Sequence, residues 1–122
     1  PILAEESGAN QDLGNSFWVV DPLDGTSNYS RDFPICCISI ALIHENEITL
    51  GVINDFNRGS LYEGSIDSKA KLNGADIFVS SIDDKSKATL ATGLPAKGNF
   101  NKESMSELSN ELVSWKKVSY IP

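Results

Sequence analysis

Two aspartates lie three residues apart in a segment whose residue types could bind a metal ion. The segment, residues 18–29, reads WVVDPLDGTSNY, and it places Asp21 and Asp24 where a short apolar strand would end in a turn with proline and glycine. Hard divalent cations such as Mg²⁺ take oxygen ligands and often bind substrate phosphates as well. The two carboxylates and the carbonyl oxygen of Leu23 could therefore point the same way and hold such a cation.

The residues after Asp24 could begin a helix, with Thr26 or Ser27 as its N-cap. A helix start offers backbone N–H groups and the positive end of a dipole, which favour a phosphate oxygen. Upstream, Glu5 and Glu6 could supply a further metal ligand if their segment folds alongside. The alternative interpretation is that the aspartates are turn residues and the glutamates a solvated surface pair.

Competing motifs fail on their spacing. An EF-hand loop with Gly25 at its sixth position would put Val20, Pro22 and Arg31 at ligand positions, and none of them is a suitable ligand. The haloacid-dehalogenase phosphatases carry Asp-x-Asp-Gly-Thr, but their nucleophilic aspartate would fall on Pro22 here. The sequence also has no P-loop, no G-x-S-x-G and no H-E-x-x-H.

Composition limits the classes of protein that fit. The 122 residues carry a net charge of −7 and are 40% hydrophobic, which suits a domain with an apolar core, and 9 Gly, 5 Pro and 2 Cys exclude collagen-like and disulfide scaffolds. An acidic chain without a Lys/Arg cluster is a poor candidate for binding a nucleic acid polymer. Its longest apolar stretch, residues 35–43, is too short to span a membrane. Within that stretch Cys36 and Cys37 are expected to be core thiols of a cytoplasmic protein.

Hydrophobic patterning predicts an antiparallel meander followed by a β-α-β unit. The first strand is expected to stop at Pro22, and the strand over residues 35–43 to be covered on both faces. Asn73-Gly74 predicts a tight hairpin. We expect residues 1–81 to form a mainly antiparallel, metal-binding part and residues 82–122 the beginning of an α/β subdomain. Strands are predicted at residues 17–20, 35–43, 48–53, 60–65, 77–79, 88–92 and 118–121, and a helix at 102–115.

Residues 18–29 closely resemble the signature W-[IV]-[IV]-D-P-[IL]-D-G-T-x-N-[FY] of the inositol monophosphatase family. Residues 4–7 resemble that family's Gly-Glu-Glu metal motif, with Ala4 in the usual glycine place. Further agreement, as far as about Gly74, comes from Phe33-Pro34 with Ser39-Ile40, from Gly51-Val52-Ile53 and from Leu72-Asn73-Gly74. The resemblance implies the α+β, or α/β, sugar-phosphatase fold, in which a mainly antiparallel sheet is followed by a second β-α-β layer.

The resemblance also implies a metal site with two or three Mg²⁺ ions. Glu5, Asp21 and the carbonyl oxygen of Leu23 would bind the first ion, and Asp21 would bridge to a second ion that Asp24 also holds. Glu6 would support these ligands. A phosphoric monoester hydrolase of the inositol-phosphate phosphatase type is therefore expected.

For the phosphate, the resemblance implies that the backbone N–H groups of Gly25 and Thr26 receive it. The Thr26 hydroxyl would help to position and activate the attacking water, so Thr26 and Asp24 are the expected catalytic residues. The expected reaction is direct in-line attack of metal-activated water on a small phosphate monoester.

Inositol monophosphate is the default substrate, and 3′-phosphoadenosine 5′-phosphate, fructose 1,6-bisphosphate and histidinol phosphate stay open. A homodimer without a nucleic acid or membrane partner is expected. The family's helices before the Glu-Glu motif, its later Trp-Asp motif and its Gly-Ser/Thr-rich segment have no counterpart here. We therefore expect a fragment of a longer protein, inactive alone, and a non-catalytic metal-binding fragment or a structural domain remain alternatives.

Overall fold

A computed structural model describes residues 1–5, 7–9, 12–93, 98 and 101–120. The chain divides into two compact units, Pro1–Phe78 and Val79–Pro122. The first unit is a mixed sheet of eight strands. The second contains a helix between two parallel strands. No helix of the described residues is both long enough and apolar enough to cross a membrane.

The sheet of the first unit is mainly antiparallel, as the sequence predicts. Its elements are β1 (Ile2–Ala4), β2 (Gly8–Ala9), β3 (Ser16–Asp24), the single-turn α1 (Thr26–Tyr29), β4 (Cys37–His44), β5 (Glu47–Asp55), β6 (Ser60–Ser65), β7 (Ser68–Leu72) and β8 (Ala75–Asp76). The strands lie in the order β2-β1-β3-β4-β5-β6-β7-β8. The β1–β3 pair is parallel, and the other neighbouring pairs are antiparallel.

Strand β3 continues through Pro22, so the prediction that the ladder stops there is wrong. Asp21 pairs with Ser39 and Asp24 with Cys37, so that two residues of β3 oppose one residue of β4. This is a β-bulge, and a bulge tolerates proline because the missing N–H is not needed by the ladder. The bulge therefore lies between the two aspartates that the sequence singled out.

Burial in the sheet is lower than the sequence predicts. In β4 the residues from Cys37 to Ile43 are only partly buried and His44 is exposed, although an apolar run of this kind was expected to be covered on both faces. Among the described residues the buried hydrophobic side chain is that of Cys36, which is 7% exposed. A sheet by itself is one layer, and its apolar face needs a second layer for full burial.

The hairpin predicted at Asn73-Gly74 is confirmed, but the strand predicted at residues 77–79 is wrong. Asn73 and Gly74 have φ of 49° and 82°, the left-handed conformation of a tight hairpin turn. The strand after the turn is β8, which ends at Asp76. One backbone bond follows, from the Ile77 N–H to the Ala70 carbonyl at 2.9 Å.

The second unit is the predicted β-α-β arrangement. It contains β9 (Thr89–Thr92), α2 (Lys102–Leu112) and β10 (Lys117–Tyr120), and β9 and β10 pair in parallel. Helix α2 begins with a capping box, in which Asn101 Oδ1 accepts from the Ser104 N–H at 2.8 Å and Ser104 Oγ accepts from the Asn101 N–H at 3.2 Å. The helix ends at Leu112, earlier than the predicted residue 115. Residue 121 lies outside the described residues.

Candidate metal and phosphate site

Two local hydrogen bonds organise the bulge at the end of β3. The Leu23 N–H donates to Asp21 Oδ1 at 3.0 Å, and the Thr26 hydroxyl donates to the Leu23 carbonyl at 2.8 Å. The Asp21 side chain is half-buried, and that of Asp24 is exposed. These bonds link Asp21, Leu23 and Thr26 in one turn, residues 21–26, which also contains Asp24.

Gly25 shapes this turn. It is the N-cap of α1, with φ 83° and ψ 33°, so the expectation of a Thr26 or Ser27 cap is wrong. The physical reason is that the Thr26 hydroxyl is used on the Leu23 carbonyl, while the left-handed backbone at the cap suits glycine. A Cβ on Gly25 would lie 2.6 Å from the Ile35 carbonyl oxygen, so the site also needs glycine for lack of space.

Two asparagines hold residues 35–36, the segment against which Gly25 lies. Asn28 Nδ2 donates to the Ile35 carbonyl at 2.9 Å, and Asn57 Nδ2 donates to the Cys36 carbonyl at 3.3 Å. Sequence reasoning missed both contacts. The position of Asn28 inside the motif was a usable signal, whereas nothing in the sequence singles out Asn57.

Strand β1 brings Glu5 towards the same end of β3. The parallel register pairs Ile2 with Trp18 and Ala4 with Val20. The next residue is Glu5 after β1 and Asp21 along β3. The Glu5 N–H donates to the Val20 carbonyl at 3.4 Å. This neighbourhood is the one required for Glu5 to act with Asp21. The supporting residue Glu6 lies outside the described residues.

The site has a negative electrostatic environment that can be seen at a neighbouring thiol. Burial raises the pKa of Cys37, and the negative charges of Asp24, Asp21 and Asp55 raise it further. Asp55 itself forms an ion pair with Arg58 at 2.7 Å, and the hydrogen bond from Arg58 lowers the pKa of the Asp55 carboxyl. A cation near Asp21 and Asp24 would therefore be attracted by the surrounding charge.

The donor atoms suit a hard divalent cation, but they form a partial ligand set. In the part of the chain that the structure describes, no three His, Cys, Asp or Glu side chains come together as a metal cluster. Mg²⁺ usually retains several waters and binds one or two carboxylates together with substrate phosphates. The candidate ligands here are oxygen atoms of the kind that Mg²⁺ prefers. They come from the carboxylates of Asp21, Asp24 and Glu5 and from the Leu23 carbonyl.

A cavity of about 290 Å³ lies beside the turn. Its wall includes Asp24, Gly25 and Asn28 from the turn and Asp55 and Arg58 from the end of β5 and the following turn. Small-molecule sites begin at about 300 Å³. The cavity beside the turn is thus close to the lower end of that size range.

Comparison with known proteins gives a consistent result. The model of the inositol monophosphatase family matches residues 1–118. The chain is 40% identical over 93 residues to an inositol-1-monophosphatase of Synechocystis, a match that covers 75% of this chain and 32% of that protein. It is 46% identical over 92 residues to the Nus factor SuhB of Xylella fastidiosa, covering 75% of this chain and 33% of that protein.

A solved structure extends the similarity to the fold. The inositol monophosphatase from Anabaena (Nostoc) superposes with a TM-score of 0.84 at 32% identity, covering 98% of this chain and 48% of that one. The chain thus spans about a third of the length of the two curated relatives and about half of the solved structure.

Proposed function

The chain belongs to the inositol monophosphatase family, and we propose that the protein is a Mg²⁺-dependent phosphatase of small phosphate monoesters. The observation that carries the proposal is the bulge at the end of β3, where the Asp21 carboxylate, the Leu23 carbonyl and the Thr26 hydroxyl are joined by hydrogen bonds. Inositol monophosphate is the proposed substrate, in keeping with the relative named inositol-1-monophosphatase.

We assign the metal-binding residues as follows. Asp21, the Leu23 carbonyl and Glu5 would hold one Mg²⁺ ion, and Asp21 with Asp24 would hold another. The parallel register ends with Ala4 opposite Val20, and its continuation by one residue, which would place Glu5 beside Asp21, supports the first set, while the exposed carboxylate of Asp24 supports the second. Glu6 is proposed as a supporting residue, and the total of two or three ions remains part of the proposal.

Mg²⁺, when bound, would neutralise the phosphate and lower the pKa of a water. The chain supplies the positioning. The Thr26 hydroxyl hydrogen is directed to the Leu23 carbonyl at 2.8 Å, so lone pairs of the hydroxyl oxygen remain to accept a hydrogen bond from the attacking water. The backbone N–H groups of Gly25 and Thr26 are proposed to receive the phosphate. In-line attack by this water would then release the alcohol and inorganic phosphate.

The proposal also covers the compartment, the assembly and the range of substrates. The free thiols of Cys36 and Cys37 suit a reducing, cytoplasmic compartment. A homodimer is proposed from the family resemblance. The compounds 3′-phosphoadenosine 5′-phosphate, fructose 1,6-bisphosphate and histidinol phosphate are further candidate substrates, since each of them, like inositol monophosphate, presents a phosphate monoester.

A relative at 46% identity is named Nus factor SuhB, which supports a role as a Nus factor as a second candidate function. A role of that kind would involve a protein partner, because a net charge of −7 opposes direct contact with a nucleic acid backbone. Complementation of a strain that lacks its own SuhB tests this candidate, and failure of the wild-type protein to complement would contradict it.

Phosphate release from inositol 1-phosphate tests the main proposal. The protein, as it is naturally encoded, should release phosphate with Mg²⁺ and none with a chelator, and residues 1–122 alone should release none. The same assay with the three other esters ranks the substrates. Equal release with and without the chelator would contradict the metal requirement, and no release from any of the four esters would contradict phosphatase activity.

A further inference from the structure

We propose that Asn28 and Asn57 are positioning residues for the turn that would bind Mg²⁺ and phosphate. Both side chains hold residues 35–36, the segment behind Gly25. Neither is among the proposed metal ligands. The inference rests on the proposed function, because it says how the proposed site keeps its geometry.

The turn and the segment behind it are in direct backbone contact. A Cβ added to Gly25 would meet the Ile35 carbonyl oxygen at 2.6 Å and Cys36 Cα at 3.2 Å. Contacts this short leave no room for a side chain between the two backbones. The position of Gly25, and of Asp24 and Thr26 on either side of it, therefore depends on where residues 35–36 lie.

Residues 35–36 are held by the amides of Asn28 and Asn57 together with a backbone bond, from the Ile35 N–H to the Phe33 carbonyl at 2.8 Å. They precede β4, which begins at Cys37, so they lie outside the strand ladder. The Ile35 carbonyl accepts from Asn28 Nδ2 at 2.9 Å, while the Asn28 backbone N–H donates to the Gly25 carbonyl, also at 2.9 Å. Asn28 thus joins both sides of the contact through one residue.

Asn57 holds the second residue of the segment from a distant part of the sequence. Its Nδ2 donates to the Cys36 carbonyl at 3.3 Å and lies 3.2 Å from Cys36 Sγ, and Cys36 is 7% exposed. The turn that carries Asn57 is closed by bonds from Arg58 to Asp55, from the guanidinium to the carboxylate at 2.7 Å and from the backbone N–H to the carbonyl at 3.2 Å. The amide of Asn57 therefore connects the turn after β5 to residues 35–36, which lie against Gly25 of the proposed site.

Each asparagine is proposed to affect Mg²⁺ binding through the position of the turn. Removal of either amide frees a partly buried carbonyl and allows residues 35–36 to shift, which moves the turn without removing a ligand. Mg²⁺ binding should weaken, and the Mg²⁺ concentration for half-maximal activity should rise. The kcat at saturating Mg²⁺ should change little, because the reacting groups are all present.

The test compares Asn28→Ala and Asn57→Ala, made separately, with wild type in the naturally encoded protein. Calorimetry with Mg²⁺ alone should show the dissociation constant raised about fivefold in each variant, the size expected for one hydrogen bond. Asn73→Gly is the matched control. It removes an amide that also bridges backbone groups, accepting from the Leu61 N–H at 2.8 Å and donating to the Gly59 carbonyl at 3.2 Å, and glycine tolerates its φ of 49°.

Each outcome decides the inference. Weaker Mg²⁺ binding in both Asn28→Ala and Asn57→Ala, with unchanged binding in Asn73→Gly, supports it, and wild-type binding in one of the two variants contradicts the role of that asparagine. If all three variants lower the thermal stability and bind Mg²⁺ as wild type does, the asparagines are purely structural and the inference fails while the proposed function stands. If wild type itself binds no Mg²⁺ and releases no phosphate, both fail.

Discussion

At the scale of single residues, the Ile35 carbonyl oxygen is the point where steric and polar constraints on the site meet. It limits Gly25 to a residue without a Cβ, and it accepts the Asn28 amide at 2.9 Å. The motif residues 21–26 could be predicted as a unit because they are contiguous in sequence. Asn57 could not, because its contact with Cys36 spans 21 residues and exists only once the turn after β5 has formed.

Gly25→Ala should separate the steric constraint from simple backbone strain. The substitution imposes a left-handed φ on alanine, which costs about 1–2 kcal/mol, and also a clash with the Ile35 carbonyl. Mg²⁺ binding measured by calorimetry should be lost, and the free energy of unfolding should fall by more than the strain alone.

Gly14→Ala is the matched control for this prediction, because Gly14 has φ 59° and open space around its missing Cβ. It should show the strain penalty in thermal unfolding and keep wild-type Mg²⁺ binding. Equal effects of the two substitutions would mean that the contact with Ile35 has no role in the site.

Among the secondary-structure elements, the bounds that the sequence predicts correctly are those determined by residues close by in the chain. Strand β6 matches its prediction at residues 60–65, and α2 begins at Lys102 as predicted because its capping box is local. Strand β1 was not predicted, since three residues carry no usable alternation and its parallel partner is distant in sequence. The continuation of β3 through Pro22 depends on a bulge set by β4, which a single-strand pattern does not contain.

The second unit contains a contact that should respond to acid. Lys85 Nζ donates to Glu111 Oε1 at 2.5 Å, and Trp115 Nε1–H donates to the same oxygen at 3.1 Å. The hydrogen bond from Lys85, then that from Trp115, lowers the pKa of Glu111 from 4.5. The stabilisation is therefore complete above about pH 4.5 and is lost as the pH falls through the lowered value.

NMR of the Trp115 indole N–H resonance tests this prediction. The titration runs from pH 6 to pH 2.5, a window of about two units on either side of an ordinary carboxyl pKa. The resonance should shift as Glu111 protonates, and Glu111→Gln should abolish the shift. Glu107→Gln, an exposed change on the same helix, is the control and should leave the titration intact. A titration that survives in Glu111→Gln would contradict the assigned contact.

At the scale of the whole molecule, charge and fold have complementary roles. A net charge of −7 would repel a phosphate, and part of the negative charge lies at the bulge, where burial and then the carboxylates of Asp24, Asp21 and Asp55 raise the pKa of the Cys37 thiol. Oxygen donors in such a place favour a divalent cation that can then bind phosphate. The bulge in β3 is the location that we propose for such a cation.

Asp24 is proposed to take part in a Mg²⁺-dependent phosphatase site, so its replacement should remove Mg²⁺-dependent turnover. Mg²⁺-dependent phosphate release from inositol 1-phosphate should be compared among wild type, Asp24→Asn and the control Asp67→Asn in the naturally encoded protein. Asp67 is an exposed residue in the turn between β6 and β7. We predict that Asp24→Asn lowers kcat by about a hundredfold or more while Asp67→Asn matches wild type, and wild-type turnover in Asp24→Asn would contradict the account.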